Sequence, residues 1–157
     1  MNPDESIQLA LQELKRADHS ISVSLKYTRT VDVIKSIIER LINTIGFGLD
    51  ALVEHAKSQK KISEASALPK VKVDQVKMLY ASDKVITDFC DFYLMLRKID
   101  KAKFSRAQEY RRHVTMTAQL EGGTVEITID IISDYFEKTK DFLNYVSRLI
   151  HGEGGNL

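Results

Sequence analysis

Apolar residues recur at helical spacing near the start of the chain. Steps of three and four residues separate Ile7, Leu11, Leu14, Ala17, Ile21 and Leu25. This spacing places them on one face of a helix. Asn2 suits the N-cap, Pro3 the first turn, and Glu5 the acidic position of a capping box. The pattern stops at residues 27–30, where Thr28 or Thr30 can cap the helix that follows.

The second predicted helix carries the widest apolar stripe: Ile34, Ile37, Ile38, Leu41, Ile42, Ile45, Leu49, Leu52, Val53 and Ala56. A stripe of this width exceeds what one neighbouring helix covers. We therefore predict that part of it is shared with a second copy of the chain, through Ile38, Leu41, Ile42, Ile45 and Leu49. Gly46 and Gly48 lie within the stripe and favour close approach between helices.

Helical spacing continues after a polar connector over residues 60–70. It predicts a third helix over residues 73–99 and a last helix that Asp130 caps and Gly152 ends. Between these two helices the apolar period changes to two, which is typical of strands. Gly122 and Gly123 suit a two-residue turn.

We expect a β-hairpin over about residues 111–129. Its predicted pairs are Leu120 with Val125, Ala118 with Ile127, and Met116 with Ile129. The segment of residues 110–114 would then remain an unpaired strand edge.

Together these elements predict a mainly α fold: an antiparallel four-helix up-and-down bundle with the hairpin inserted before the last helix. A length of 157 residues, 43% of them hydrophobic, fits one domain with a substantial core. We expect this domain to span residues 1–151 and residues 152–157 to form a flexible tail.

Charge and cysteine content narrow the classes of partner and location. Twenty-three basic and 22 acidic residues leave a net charge of +1, so no global field indicates an anionic partner. Cys90 is the single cysteine, which excludes a disulfide within the chain and favours a reducing cytoplasm. Because no run of about 18 apolar residues occurs, we expect no membrane association.

Motifs for cofactor and metal chemistry are missing from the sequence. It has no phosphate-binding glycine loop, no Gly-x-Ser-x-Gly and no His-Glu-x-x-His. The histidines His19, His55, His113 and His151 are scattered, so no metal site and no cofactor are expected. Cys90 lacks a histidine at helical spacing, which indicates a buried thiol rather than a nucleophile.

One segment is strongly basic. Two acids, Asp100 and Glu109, accompany seven cations: Arg97, Lys98, Lys101, Lys103, Arg106, Arg111 and Arg112. Phe104 and Tyr110 are interleaved among them. The local excess of about five charges suffices for several phosphate contacts. Nucleic-acid binding through residues 97–112 is therefore one hypothesis, and a solvated charged surface is the other.

The stretch ADHSISVSLKYTRTVDVIKSIIERLINTIGFGLDALVEHAK combines a helix, a short break and a long helix with small residues at its middle. It resembles small archaeal helical-bundle proteins of the HEPN-like type, most of unassigned function. The resemblance covers roughly residues 14–57 and continues loosely through TVEITIDIISDYF. It implies a helical bundle that commonly dimerises. Active HEPN members are metal-independent RNases with an Arg-x(4–6)-His motif, and here six residues separate Arg106 from His113.

The sequence favours a non-enzymatic interaction or oligomerisation module that forms a homodimer or binds another protein. Two alternatives stay open. One is a HEPN-like, metal-independent RNase that uses Arg106, Arg111 and His113. The other is a nucleic-acid-binding protein that uses the basic segment without chemistry.

Overall fold

The structure, a computed structural model, describes residues 1–152. It is mainly helical, with 69% of these residues in helices, and it carries a three-stranded antiparallel sheet. The long helices are α1 (Pro3–His19), α3 (Val31–Ser58), α4 (Pro69–Leu79), α5 (Lys84–Lys101) and α6 (Ile129–His151). A π-helical turn at Ser20–Ser24 and the short α2 (Leu25–Tyr27) follow α1. The strands are β1 (Phe104–Ala107), β2 (Thr115–Leu120) and β3 (Gly123–Ile127).

Helix α3 lies at the centre and packs against α1, α4, α5 and α6. Its wide apolar stripe is therefore covered within one chain. The five side chains that we predicted at a dimer interface are between 0 and 7% exposed in the single chain; they are Ile38, Leu41, Ile42, Ile45 and Leu49. Four neighbouring helices explain their apolar character, so a surface position for these residues is corrected to a core position.

The predicted third helix is two helices, α4 and α5, separated at residues 80–83. The Asp83 side chain caps α5, because its Oδ1 accepts the backbone N–H of Ile86 at 3.2 Å. A new helix therefore begins after Asp83. The Oδ2 of Asp83 accepts the hydroxyl of Tyr145 on α6 at 2.8 Å. The mainly α class and a sheet before the last helix are confirmed. The structure does not confirm a four-helix up-and-down bundle, since five long helices are present in residues 1–152.

The hairpin is confirmed as β2–β3, but its register differs from the prediction by two residues. Met116 lies opposite Ile127, and Ala118 lies opposite Val125. The connecting residues are Glu121 and Gly122, because Leu120 already pairs with Gly123. A shift of two residues keeps every side chain on the same face of the sheet. The apolar face therefore stays turned toward the core although the partners change.

Strand β1 was not predicted, and it changes the sheet edge. Phe104 lies opposite Ala118, and Ala107 lies opposite Thr115, so β1 covers the free side of β2. The predicted strand edge at residues 110–114 is wrong, since these residues form turns between β1 and β2.

Helix ends follow the predicted chemistry, with one exception. Asn2 and Glu5 form the capping box of α1, and the Thr30 hydroxyl caps α3. Helix α6 is capped by Thr128 rather than Asp130, and it ends at Gly152, whose φ is +83°. The remainder of the predicted tail lies outside the described residues. Within residues 1–152, no helix is long and apolar enough to cross a membrane.

Candidate functional site

The loop between β1 and β2 is fastened to the start of α3. The backbone N–H of Tyr110 donates to the carbonyl oxygen of Arg29 at 2.7 Å. Glu109 places its Oε2 3.0 Å from the N–H of Val31, a donor that the first turn of a helix leaves without a backbone partner. These two bonds hold residues 108–114 against the break between α2 and α3.

This loop has an unusual backbone. Gln108 and Tyr110 adopt φ values of +57° and +65°, the left-handed region that costs a side-chain-bearing residue about 1–2 kcal/mol. Two turn hydrogen bonds close the loop, from Arg111 N–H to Gln108 O and from Val114 N–H to Arg111 O, both 3.1 Å long. The contacts to α3 and these turns keep the loop in its strained form.

A pocket of about 430 Å³ lies where this loop meets the α2–α3 break and the first turn of α6. The α2–α3 break contributes Arg29, and the β1–β2 loop contributes Arg112 and His113. The rest of the lining is Thr115 from β2, and Thr128, Ile129 and Asp130 from the start of α6. Two separate segments thus bring two guanidinium groups and one imidazole to one pocket, and the start of α6 completes its wall.

Arg29 has the most informative environment of these side chains. Among the buried side-chain nitrogen and oxygen atoms of residues 1–152, its Nε is the one without a hydrogen-bond partner in the protein. A buried donor left unmatched costs about 1–3 kcal/mol. The charge of the Arg29 guanidinium matches an anion bound in the pocket that Arg29 lines.

The other lining groups also favour an anion. Thr128 Oγ1 accepts the N–H of Ile131 at 3.2 Å, so its hydroxyl proton remains available to donate. The first turn of α6 adds the positive end of a helix dipole. Asp130 contributes one negative charge against the two positive charges of Arg29 and Arg112, so these three side chains give the pocket a net positive charge. The arrangement is chemically suited to a phosphate group.

Arg106, predicted to act with His113, is held elsewhere. Its guanidinium pairs with Asp32 at 2.9 Å, lies 3.8 Å from Glu109 and sits 5.2 Å from the ring of Phe104. The hydrogen bond that the Arg106 guanidinium donates to Asp32 raises the pKa of Arg106. Among the described residues that line this pocket, neither Arg106 nor Arg111 is present. His113 is joined there by Arg29 and Arg112 instead.

The seven cations of the basic segment do not share one element. Arg97, Lys98 and Lys101 lie on α5, where Arg97 is stacked 5.7 Å from the ring of Tyr93. Lys103 precedes β1, and its carbonyl oxygen accepts the N–H of Gln119 at 2.9 Å. Arg112 is the one member of this segment that lines the pocket.

Sequence reasoning missed Arg29 and Thr128. The signal for Arg29 was its place in the break between two helices, where a side chain is free to reach a neighbouring loop. The signal for Thr128 was its position as an N-cap, which we had given to Asp130.

Cys90 and the acidic residues lead to no second site. The Cys90 thiol is fully buried, and burial raises its pKa to about 11. Within residues 1–152, no group of three or more His, Cys, Asp or Glu side chains is placed to hold a metal ion.

Comparison of the chain with protein-family models, with curated proteins and with solved structures returned no match. The HEPN-like resemblance accordingly stays a prediction from the sequence.

Proposed function

We propose that this protein binds nucleic acid, with a backbone phosphate in the pocket formed by Arg29, Arg112 and His113. The observation that carries the proposal is the pocket lining, which brings the guanidinium groups of Arg29 and Arg112 together with the imidazole of His113. Arg111 is exposed and adjacent to Arg112 in the chain, so it offers a further contact to a neighbouring phosphate.

Nucleic acid fits the site better than an isolated phosphate ion does. The pocket has room for more than one phosphate-sized group, at about 430 Å³. Arg112 and His113 are exposed at its mouth, so a chain can run past them. Most protein contacts to nucleic acids are to phosphate oxygens, from arginines, hydroxyls and helix N-termini, and these are the groups that line the pocket.

The test is fluorescence anisotropy with a labelled RNA or DNA of about ten nucleotides, a length that suits one small domain. Three phosphate contacts predict that affinity falls about tenfold or more when KCl rises from about 50 to 200 mM. Arg29→Gln and Arg112→Gln should each weaken binding about tenfold, the order expected for one charged hydrogen bond.

Arg148→Gln is the matched control for charge. Arg148 is exposed on the same helix α6, about 28 Å along the helix from its first residue. It should leave affinity almost unchanged. Equal losses in all three variants would indicate a diffuse charge effect, and no binding by the wild type at low salt would refute the proposal.

His113 in the same pocket favours a second candidate, a metal-independent RNase. An imidazole can take the proton of a ribose 2′-hydroxyl, whose oxygen then bonds to the adjacent phosphorus while the bond from phosphorus to the 5′-oxygen breaks. The leaving 5′-oxygen takes a proton from the imidazolium or from water, and two guanidinium groups can stabilise the charge that develops on the phosphate. In this candidate Arg29 and Arg112 take the roles that the sequence assigned to Arg106 and Arg111.

The RNase candidate predicts cleavage of RNA, and not of DNA, in the presence of EDTA. His113→Ala should abolish cleavage while RNA is still bound. Arg106→Gln should keep at least most of the activity, because Arg106 is paired with Asp32. Purified protein that binds RNA but leaves it intact would exclude this candidate and leave the binding proposal in place.

A further inference from the structure

Two exposed tyrosines, Tyr27 and Tyr110, each precede by two residues an arginine that lines the proposed phosphate pocket. Tyr27 is 78% exposed and Tyr110 is 76% exposed, although both are large and partly apolar. Tyr110 is joined to Arg29 by its backbone hydrogen bond of 2.7 Å, and Tyr27 precedes Arg29 by two residues. The two rings therefore belong to the same two segments that supply Arg29 and Arg112.

Packing within the protein does not explain why residue 110 carries an aromatic ring. Its backbone is held at a φ of +65° by the contacts of the loop to α3, yet the side chain stays in solvent. A residue kept in a strained conformation without burial is a candidate for a binding role. Tyr27 also gains little from burial, at the last position of α2.

The outward face of the sheet offers no comparable surface. Its positions are occupied by small or polar side chains: Ser105, Ala107, Thr115, Thr117, Gln119, Thr124 and Glu126. A flat aromatic contact near the pocket must therefore come from Tyr27 or Tyr110.

We propose that the nucleic acid is single-stranded and that its bases stack on Tyr27 and Tyr110 while a phosphate occupies the pocket. This inference rests on the proposed function. Every base has a π-face that an aromatic ring can stack on, so the contact does not depend on sequence. Bases in a duplex are already stacked on each other, so they are not available to stack on the two tyrosine rings.

The experiment compares three labelled probes of equal length by anisotropy: a single strand of mixed sequence, a strand with abasic sites throughout, and a duplex. The single strand should bind about 25- to 100-fold more tightly than the other two, because each of the two stacked bases contributes about five- to tenfold. Tyr27→Ala and Tyr110→Gly should each remove about five- to tenfold of the single-strand affinity and leave abasic binding unchanged.

The choice of variants separates stacking from folding. Glycine adopts a positive φ without strain, so Tyr110→Gly removes the ring and keeps the loop. Tyr27→Phe and Tyr110→Phe should retain binding, because stacking needs no hydroxyl. Met78→Ala changes a side chain of α4 that is 67% exposed, and it should have no effect on any probe.

The outcomes distinguish this inference from the proposed function. Equal affinity for the mixed and abasic strands would overturn base stacking while phosphate binding survives. Equal affinity for the duplex would overturn the preference for single strands. Failure of all three probes to bind would overturn both proposals.

Discussion

Gly48 and Gly46 lie two residues apart in α3, yet the same substitution should act on them in opposite directions. A Cβ at Gly48 would lie 2.6 Å from Cε2 of Phe142, a ring that is fully buried. A Cβ at Gly46 would have Tyr93 Oη as its nearest neighbour at 3.6 Å, an ordinary contact. Only Gly48 is therefore required by the packing of α3 on α6.

We expect Gly48→Ala to lower the free energy of unfolding by about 1–2 kcal/mol, because overpacking costs more than the helix gains. Gly46→Ala should raise it by up to about 1 kcal/mol. Urea unfolding followed by circular dichroism measures both values. Phe142→Leu combined with Gly48→Ala should cost less than the sum of the two single changes, and strict additivity would contradict the clash.

The Cys90 thiol should be inert in the folded protein. Its pKa of about 11 leaves about one thiolate in a thousand at pH 8, and its side chain is fully buried. We expect a thiol-specific reagent to label native protein only as fast as the protein unfolds, and to label it at once in denaturant. Rapid labelling without denaturant would contradict the buried position.

Asp83 joins the start of α5 to α6. Removing it takes away both the cap on Ile86 N–H and the acceptor for the Tyr145 hydroxyl. Asp83→Ala should lower the free energy of unfolding by about 1–2 kcal/mol, and Tyr145→Phe by about 1 kcal/mol. Asp83→Asn is the matched variant, since asparagine also caps helices well.

A double-mutant cycle checks whether the two contacts act together. If Tyr145 is stabilised through Asp83, then Tyr145→Phe should cost little in the Asp83→Ala background. The same bond raises the pKa of Tyr145, and burial raises it further, so the shift should shrink when Asp83 is removed. An unchanged cost for Tyr145→Phe would show that its hydroxyl acts elsewhere.

For the molecule as a whole, Ile42 tests whether the wide apolar stripe on α3 belongs to the core of the monomer or to a dimer interface. Ile42 is 7% exposed within one chain, and a lysine there would bury an unpaired charge. Ile42→Lys should therefore unfold the monomer rather than separate two folded copies. Circular dichroism and sedimentation of the variant distinguish these results.

A homodimer stays a prediction, and it is measured separately on the wild type. Sedimentation at micromolar concentration should show whether a species of twice 17.9 kDa exists. If it does, its interface must use side chains other than the five buried ones of α3. If the wild type is a dimer and the Ile42→Lys variant is a folded monomer, the interface would instead be the face of α3 that carries Ile42.

The sequence alone determined where α1 and α3 lie and which side of each helix is apolar. Helical spacing identified α1 and α3, and the period of two identified the hairpin. Local chemistry predicted the cap at Asn2 and limited the cap of α3 to Thr28 or Thr30. These features depend on residues within one or two turns of each other. Local spacing is therefore sufficient information for them.

Tertiary structure decided the rest, because the deciding contacts join distant parts of the chain. The hairpin register could shift by two residues without moving any side chain to the other face, so periodicity could not select it. The Glu109–Val31 bond spans 78 residues. It is this kind of contact that brings Arg29 beside Arg112 and His113. A local sequence pattern does not show which cation pairs with an acid, as Arg106 pairs with Asp32. Nor does it show which cation lines a pocket.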